Sequence, residues 1–302
     1  MKKYVERLSG NGFALFLFHG VIEKSNYTVR NYTKKHLEKK FFVELMKELR
    51  AQGNPMTIDE VVRCHREGSP FPPRAFAVTF DDGFENNYSV AVPVLQELDV
   101  PATFYVTTDF VDRNQMSWID RIEYCLEKVP SGAVRFTWSS SAQYFSTPQE
   151  KVSILDDIRE HVKNDPTIDQ NEFARGIFAQ CGLAEIFSSD DPLDQKMDWM
   201  QVRALSENPL FTVGGHSHRH SILSFLTPDE LDKEVRTSVE LLKLHTGMSP
   251  IHYSYPEGLA HCYSQEVITV LKKYGIVCCP TAEDGLNTEK ADLFHLKRIF
   301  VV

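Results

Sequence analysis

Two short segments of this chain place carboxylate and imidazole groups at the ends of apolar runs. The first is TFDDG at residues 79–83, which follows a run rich in β-branched and aromatic residues. Such a run predicts a buried strand. Asp81 and Asp82 stand at its C-terminal end before a turn glycine, where both side chains can reach one pocket. The alternative is a charged turn that only closes the strand.

The second segment is GGHSHRH at residues 214–220, after another short apolar run. Imidazole is the commonest side-chain ligand for a borderline metal, and residues four apart share one face of a helical turn. We therefore predict a helical turn on which His216 and His220 form a ligand pair. His218 is the weaker candidate, although His218 with His220 on an extended segment is an alternative pair. Two histidines and one carboxylate would leave open coordination positions, as in catalytic metal sites.

Together the two segments resemble the first two motifs of the polysaccharide deacetylases, carbohydrate esterase family 4. Those motifs are Thr-Phe-Asp-Asp-Gly and His-Ser/Thr-x-x-His, and both are matched without departure. The flanks agree, since VPATFYV at 100–106 resembles the family's second strand and WMQVRAL at 199–205 resembles the helix before the histidine motif. The resemblance covers most of the chain apart from a central insertion.

The resemblance implies a role for each residue of the two motifs. Asp81 would be the general base, and Asp82, His216 and His220 would hold the metal. Zn²⁺ suits two histidines and one carboxylate with open positions, and Co²⁺, Ni²⁺ or Fe²⁺ fit the same ligands.

The third motif of the family departs from the usual pattern in this chain. It commonly contains Arg-x-Pro-Tyr, whereas residues 252–258 read HYSYPEG, with Ser254 where the arginine would fall. We expect the arginine that steadies the base to come from elsewhere. Arg298, just before a terminal apolar strand, is our candidate, and a plain surface arginine is the alternative.

Three further residues are expected near the reacting group. The backbone N–H of Glu257 would face a developing oxyanion, a role that needs no particular side chain. Tyr255, from the same motif, and Trp118, after the strand that begins at Ala102, are expected at the substrate rim. A merely structural Trp118 is the alternative.

Two histidines compete for the role of general acid. The family's last motif supplies a histidine from Leu-x-His near the C-terminus, which His295 fits loosely. The run LFLFHG at 15–20 ends in His19 and resembles the permuted arrangement of the poly-N-acetylglucosamine deacetylase branch, where this strand comes first. We therefore predict His19 as the acid and keep His295 as the alternative. A hydrogen-bonded or capping role for His19 also stays open.

Alternating strand and helix patterns predict an α/β fold. With the resemblance, this becomes an irregular (β/α) barrel of about seven strands in a single catalytic domain over residues 1–302. The alternation lapses between about 118 and 198, where we predict a mainly helical insertion over one rim, with helices at 119–128, 148–162 and 170–181. The other predicted helices lie at 35–52, 58–66, 87–98, 228–245 and 264–274.

Composition bounds the partners and the compartment. The net charge of −9 argues against nucleic acid. The six cysteines show no paired spacing and are expected to be reduced. Charged residues at Glu6 and Arg7 interrupt any secretory signal, and no apolar run reaches the roughly 18 residues of a membrane span. We therefore expect a cytoplasmic protein without a membrane span.

The function that follows is metal-dependent hydrolysis of a linear amide. The enzyme would remove an N-acetyl or other small N-acyl group from an amino sugar in a glycan, glycolipid or nucleotide-sugar precursor used in cell-surface glycan assembly. A non-catalytic glycan-binding protein on the same fold is an alternative, kept open by Ser254. A metal phosphoesterase is a weaker one, because the sequence shows neither a second ligand set nor a Gly-rich phosphate loop.

Overall fold

The computed structural model describes residues 1–9 and 12–302 and has α/β architecture. Its strands are β1 (Phe13–Phe18), β2 (Gly20–Ile22), β3 (His36–Glu38), β4 (Asn54–Pro55), β5 (Ala75–Phe80), β6 (Ala102–Val106), β7 (Gly132–Val134), β8 (Gln143–Phe145), β9 (Phe211–Gly215) and β10 (Ile299–Phe300).

The helices occupy the connections between these strands. They are α1 (Lys2–Val5), α2 (Lys39–Gln52), α3 (Ile58–Glu67), α4 (Val92–Glu97), α5 (Thr108–Arg113), α6 (Trp118–Lys128), α7 (Pro148–Val162), α8 (Gln170–Cys181), α9 (Trp199–Glu207), α10 (Pro228–Thr246) and α11 (Gln265–Lys273). Short 3₁₀ turns cover Glu6–Ser9 and Leu223–Phe225, and a π turn covers Asn87–Ala91. Within residues 1–9 and 12–302, none of the helices combines the length and the apolar character needed to cross a membrane.

The main sheet is parallel and has the order β10-β1-β5-β6-β9, with β4 paired to the start of β5. Strands β1 and β5 are in register over their whole length, from Phe13 opposite Ala75 to Phe18 opposite Phe80. Every residue of these two strands is buried, as expected for parallel strands that are covered on both faces. The carboxyl ends of β1, β5, β6 and β9 therefore lie along one edge of the sheet.

Two irregular segments extend the sheet beyond β9 through single parallel bridges. Gly215 pairs with Tyr253, and the neighbouring His252 pairs with Cys278. In the described structure, the apolar run around Cys278 forms this single bridge and no longer strand. The segments still occupy the next two positions in the ring of strands.

Backbone hydrogen bonds then join the segment after Cys278 to the residues just before β10. The N–H of Thr281 donates to the Leu296 carbonyl (2.8 Å), and the N–H of Arg298 donates to the Glu283 carbonyl (2.9 Å). Strand β10 in turn pairs with β1. Five strands and two single-bridge segments thus make up the predicted irregular (β/α) barrel, and the fold prediction is confirmed.

Alternate side chains of the central strands divide the core between two apolar clusters. On one face the rings of Phe18, Phe80 and Phe104 stack in a row, with centroids 5.3 and 5.1 Å apart. On the other face Phe13 and Leu15 pack with Tyr253 and other residues of the irregular segments. Packing on both faces fixes the strand ends that carry the motifs.

The region between 118 and 198 has an apolar cluster of its own, built from helices α6, α7 and α8. The bounds predicted at 148–162 and 170–181 match α7 and α8. The antiparallel hairpin of β7 and β8 was not predicted. That the whole chain forms one catalytic domain stays a prediction.

Two helices differ from their predicted bounds by more than one residue. Helix α2 begins at Lys39 and not at residue 35, because residues 36–38 pair with β2. The helix predicted over 87–98 begins with the π turn and becomes α-helical at Val92. Pro93 has no N–H to donate to the preceding turn, which favours the wider turn before it.

Candidate active site

The carboxyl end of β5 turns sharply through two left-handed residues. Asp82 has φ of 75° and Gly83 has φ of 80°. The N–H of Asp81 still continues the sheet, donating to the Phe18 carbonyl at 3.0 Å. Asp82, a non-glycine residue in a sparsely populated conformation, carries local strain that commonly marks a functional site. Asp81 and Asp82 are only 3% and 2% exposed and line the same cavity.

The histidine motif leaves β9 as a tight loop, so the predicted helical turn is wrong. Residues 216–220 are not helical, and Ser217 and His220 have left-handed φ values of 63° and 61°. The Ser217 hydroxyl accepts a hydrogen bond from the His220 N–H (2.8 Å), which closes the loop. The rings of His216 and His220 lie 5.0 Å apart by centroid. The loop therefore brings the same two imidazoles together by another geometry.

His218 does not join this pair. Its Nδ1 lies 2.9 Å from the hydroxyl of Thr108, and its Nε2 lies 3.9 Å from a carboxylate oxygen of Asp109. The alternative ligand pair of His218 with His220 is therefore not the arrangement in the structure.

Asp82, His216 and His220 form a group that can hold a metal ion. Their ligand atoms lie within 4.8 Å of one another. The Nε2 atoms of His216 and His220 are 3.5 and 3.2 Å from Asp82 Oδ1. Across the described chain, this buried Oδ1 has no hydrogen-bond partner. An orphaned carboxylate oxygen facing two imidazole nitrogens fits a divalent cation.

The contacts behind His216 suit metal ligation. Its Nδ1 donates to the Ser254 carbonyl (2.9 Å), which fixes the ring and leaves Nε2 facing Asp82. Burial lowers the pKa of His216, but Asp81 and Asp82 raise it by more, so the net pKa lies above its ordinary value. A proton therefore competes with a metal for Nε2.

Asp81 is held by a bidentate contact from Arg298. The two terminal guanidinium nitrogens lie 2.8 Å from Oδ1 and from Oδ2 of the carboxylate. Burial raises the pKa of Asp81, but the charge and hydrogen bonds of Arg298, together with His216, lower it by more, so the carboxyl titrates below its usual range. Arg298 is 1% exposed and its Nε donates to the Thr281 carbonyl (2.5 Å). The surface alternative for Arg298 is wrong.

Ser254 fills the position from which the usual motif arginine is missing. Its hydroxyl donates to Asp81 Oδ2 (3.2 Å), and Arg298 donates to the same hydroxyl (3.3 Å). The serine therefore lies beside the pair that the terminal arginine makes with Asp81. An arginine from another chain segment supplies the cation that Ser254 cannot.

Only one of the two acid candidates lies in the cavity. His19 lines the cavity, with its ring against Phe300 at a centroid distance of 5.4 Å. Burial lowers the pKa of His19 to about 4, although Asp82 raises it in part. The side chain of His295 is 43% exposed and contacts Asp292, three residues earlier, at 3.0 Å. His295 is not among the residues that line the cavity in the described structure.

The remaining predicted site residues also line the cavity, whose volume is about 310 Å³. Trp118 is 5% exposed at the start of α6, and Tyr255 donates its hydroxyl to the Phe294 carbonyl (3.1 Å). Glu257 has a left-handed φ of 60°, and its carboxylate accepts from Lys163 at 2.5 Å. The roles assigned to these residues stay predictions.

Three basic residues of the cavity escaped the sequence analysis: Lys35, Arg159 and Lys163. Lys35 lies 3.0 Å from Asp82 Oδ2. The spacing of Arg159 and Lys163 places both on one face of a helix, but charged residues at that spacing usually face solvent. Nothing local in the sequence shows that this face of α7 meets the cavity.

The family model of the polysaccharide deacetylases matches residues 68–279, which contain both the aspartate and the histidine motif. The chain belongs to the polysaccharide deacetylase family. The resemblance drawn from the motifs is therefore confirmed.

A curated relative and several solved structures are similar to the chain. The poly-β-1,6-N-acetyl-D-glucosamine N-deacetylase of Escherichia coli K12 is 37% identical over 65 residues, 21% of this chain and only 10% of that relative. Deacetylase PplD of Streptococcus pyogenes, solved with acetate, has a TM-score of 0.62 at 14% identity, covering 96% and 92% of the two chains. IcaB from Ammonifex degensii has a TM-score of 0.62 at 17% identity, covering 97% and 93%. These two structures show the shared fold.

We expect the two aspartates to differ in their effect on metal binding. Asp82→Asn should lose the metal, because it replaces the orphaned carboxylate oxygen with a weaker neutral donor, whereas Asp81→Asn should keep it. The affinity for the metal should fall by at least about a hundredfold in Asp82→Asn, because loss of a residue that only supports a metal ligand already costs up to that factor. Elemental analysis after zinc loading and gel filtration measures both. Asp109→Asn, beside His218, is the matched buried control, and metal loss in Asp81→Asn would reverse the assignment.

Removing Arg298 should change the pH dependence of activity. Asp81 must be ionised to act as a base, and Arg298 keeps its pKa below the usual range. In Arg298→Met the burial remains without the cation, so the pKa of Asp81 rises and activity is lost at a higher pH as the solution is acidified. The acidic limb of the kcat/KM profile measures this. Arg298→Lys should restore part of the shift, and exposed Arg203→Met is the control. If Arg298→Met keeps the wild-type rate and the wild-type pH of the acidic limb, Arg298 does not hold Asp81 in its ionised form.

Proposed function

We propose that this protein is a metal-dependent carbohydrate N-deacetylase. It would remove an N-acetyl or other small N-acyl group from an amino sugar in a glycan, glycolipid or nucleotide-sugar precursor. One observation carries the proposal: the Asp82–His216–His220 group and the Arg298-held carboxylate of Asp81 line the same cavity. A metal group beside a separate ionised carboxylate is what hydrolysis by an activated water needs.

Names among the similar proteins support the same class of reaction. The Escherichia coli relative acts, by its name, on an N-acetylated glucosamine polymer, and the Streptococcus pyogenes deacetylase was solved with acetate. Acetate is the product that deacetylation of an N-acetyl sugar would release. A cytoplasmic location stays a prediction from the sequence.

Asp81 would take the proton of the attacking water. Bound at Asp82, His216 and His220, a divalent ion would lower the pKa of water and polarise the acyl carbonyl. The contacts from Arg298 and Ser254 leave the Asp81 carboxylate ionised and fixed in direction. The backbone N–H of Glu257 would donate to the carbonyl oxygen as it gains negative charge.

His19 would protonate the departing amine. Because burial lowers its pKa to about 4, the resting imidazole is neutral at neutral pH. Negative charge develops on the acyl oxygen during the reaction. This charge and the carboxylates near His19 both favour the imidazolium form. His19 would then take up the proton that Asp81 removed from the water and give it to the nitrogen where the C–N bond breaks, since an amine that leaves unprotonated leaves slowly.

The ligand set favours Zn²⁺, and Co²⁺, Ni²⁺ or Fe²⁺ suit the same two nitrogens and one oxygen. Three protein ligands leave positions for a water and for the substrate carbonyl. The affinity order of divalent metals does not by itself decide which one is bound in the cell.

The two alternative functions have less support. A glycan-binding protein without turnover was kept open by Ser254, but Arg298 contacts Asp81 in place of the missing motif arginine. A two-metal phosphoesterase would need a second ligand group. Among the described residues, Asp82, His216 and His220 are the one group of three possible ligands that lie close enough together to hold a metal ion.

The function is tested by acetate release. The zinc-loaded protein should release acetate from one or more N-acetylated sugars in a panel of monosaccharides, oligosaccharides and nucleotide sugars. A chelator should abolish the release and added metal should restore it, because the metal activates the water. Enzymatic acetate determination gives the rate, and Asp81→Asn with normal metal content is the matched inactive control. Phosphate release in place of acetate would instead support the phosphoesterase.

We expect the two candidate acids to separate in the same assay. His19→Ala should lower kcat by about a hundredfold or more, the typical contribution of a positioned general acid. His295→Ala should change it little, because His295 is exposed and outside the cavity lining. Metal content should stay normal in both variants. The opposite ranking of kcat would contradict the assignment of His19.

A further inference from the structure

The cavity contains three basic side chains that the proposed reaction does not use. Lys35 precedes β3, Arg159 lies in the last turn of α7, and Lys163 directly follows that helix. Their side chains are 17%, 19% and 19% exposed. Desolvated cations at a cavity wall are costly unless anions compensate them.

Carboxylates of the protein accept hydrogen bonds from only some of the donors on these three side chains. Lys35 contacts Asp82 and Asp120, and Lys163 contacts Glu257. Arg159 donates from one terminal nitrogen to Glu123 (2.6 Å). Its Nε is buried and has no hydrogen-bond partner in residues 1–9 and 12–302. A lysine offers three donors and an arginine five, so donors remain for a ligand.

Lys163 is a partly buried cation with two further cations, Arg159 and Lys35, near enough to oppose its charge. Burial lowers the pKa of Lys163, Glu257 raises it, and Arg159 and Lys35 lower it further. The net pKa lies below the ordinary value although a carboxylate oxygen is 2.5 Å away. A metal ion on Asp82 would also share the carboxylate that now compensates Lys35. A bound anion would stabilise all three cations.

We propose that Lys35, Arg159 and Lys163 form a phosphate subsite, so that the amino sugar deacetylated by this enzyme carries a phosphate group. This rests on the proposed function and names its substrate class. Three cations suit a dianion better than a single carboxylate, and a guanidinium matches phosphate oxygens with paired donors. At about 310 Å³, the cavity is small for a ligand pocket, which favours a single sugar with its substituent over a long polymer.

The phosphate could be a monoester or the diphosphate of a nucleotide sugar, and the choice of substrates separates these sources. Acetate release by the zinc-loaded full chain is measured with N-acetylglucosamine, its 1-phosphate, its 6-phosphate and its uridine diphosphate conjugate. We expect at least one phosphorylated substrate to exceed the neutral sugar in kcat/KM by about tenfold to a hundredfold, the usual effect of hydrogen bonds to a charged group.

The deciding variant is Arg159→Met. It should lower the ratio of kcat/KM for the phosphorylated over the neutral sugar by about tenfold or more, mainly through KM, and Arg159→Lys should restore part of the ratio. Arg121→Met is the matched control, because Arg121 is a buried arginine of the same region and pairs with Glu185. Its ratio should not change. Because the ratio compares two substrates on one protein, a general loss of folding or activity does not alter it.

Two results would overturn the subsite: a wild-type preference for the neutral sugar, or an equal loss on both sugars in Arg159→Met. Calorimetric titration of the same sugars gives a readout that needs no turnover. Tighter binding of a phosphorylated sugar that is lost in Arg159→Met, with no acetate from any substrate, would uphold the subsite and contradict the deacetylase. Acetate release without any phosphate preference would uphold the deacetylase and contradict the subsite.

Discussion

Two adjacent carboxylates buried at the end of one strand are the constraint on which the site depends. Burial alone would raise the pKa of Asp81 and Asp82 and favour their neutral forms. Different cations keep them ionised. Arg298 contacts both oxygens of Asp81, whereas Lys35 contacts Oδ2 of Asp82 and leaves Oδ1 beside two imidazoles. This difference supports the two proposed roles: a metal on Asp81 would disturb a bidentate pair, whereas a metal on Asp82 Oδ1 would leave the contact of Oδ2 with Lys35 in place.

The arginine that holds Asp81 is positioned by closure of the barrel. Arg298 directly precedes β10, its backbone N–H donates to Glu283, and its Nε donates to Thr281. The contacts that join the last strand to the irregular segment therefore also fix the guanidinium. The third motif can then carry Ser254 in place of arginine, because the buried Asp81 carboxylate needs a cation near it in space, and that cation can come from any part of the sequence. The contacts that close the barrel and the ionised state of Asp81 therefore depend on the same residue, Arg298.

Features encoded within a few neighbouring residues were predictable from the sequence, and those that depend on distant packing were not. Helix α7 has its predicted bounds because Pro148 and the Thr147–Glu150 capping box mark its start locally. The motif residues were identified because their types and spacing are short-range patterns. The left-handed loop at the histidines was missed, since a spacing of four fits a helical turn as well as this loop. The partner of Asp81 lies 217 residues away, so its position could be proposed but only the fold shows the contact.

The region between 118 and 198 takes part in the site as well as covering it. The Lys163 ammonium donates to the carboxylate of Glu257, and the Lys163 backbone carbonyl lies 3.1 Å from His261 Nε2. These contacts tie α7 to the loop that carries the expected oxyanion donor, in which Glu257 has a left-handed φ. A left-handed residue persists only where its surroundings hold it, and here α7 provides part of that hold. Arg159 and Lys163, at the end of α7, contribute cations to the cavity. Movement of α7 would therefore alter the loop of the proposed oxyanion donor and the charge on the cavity wall together.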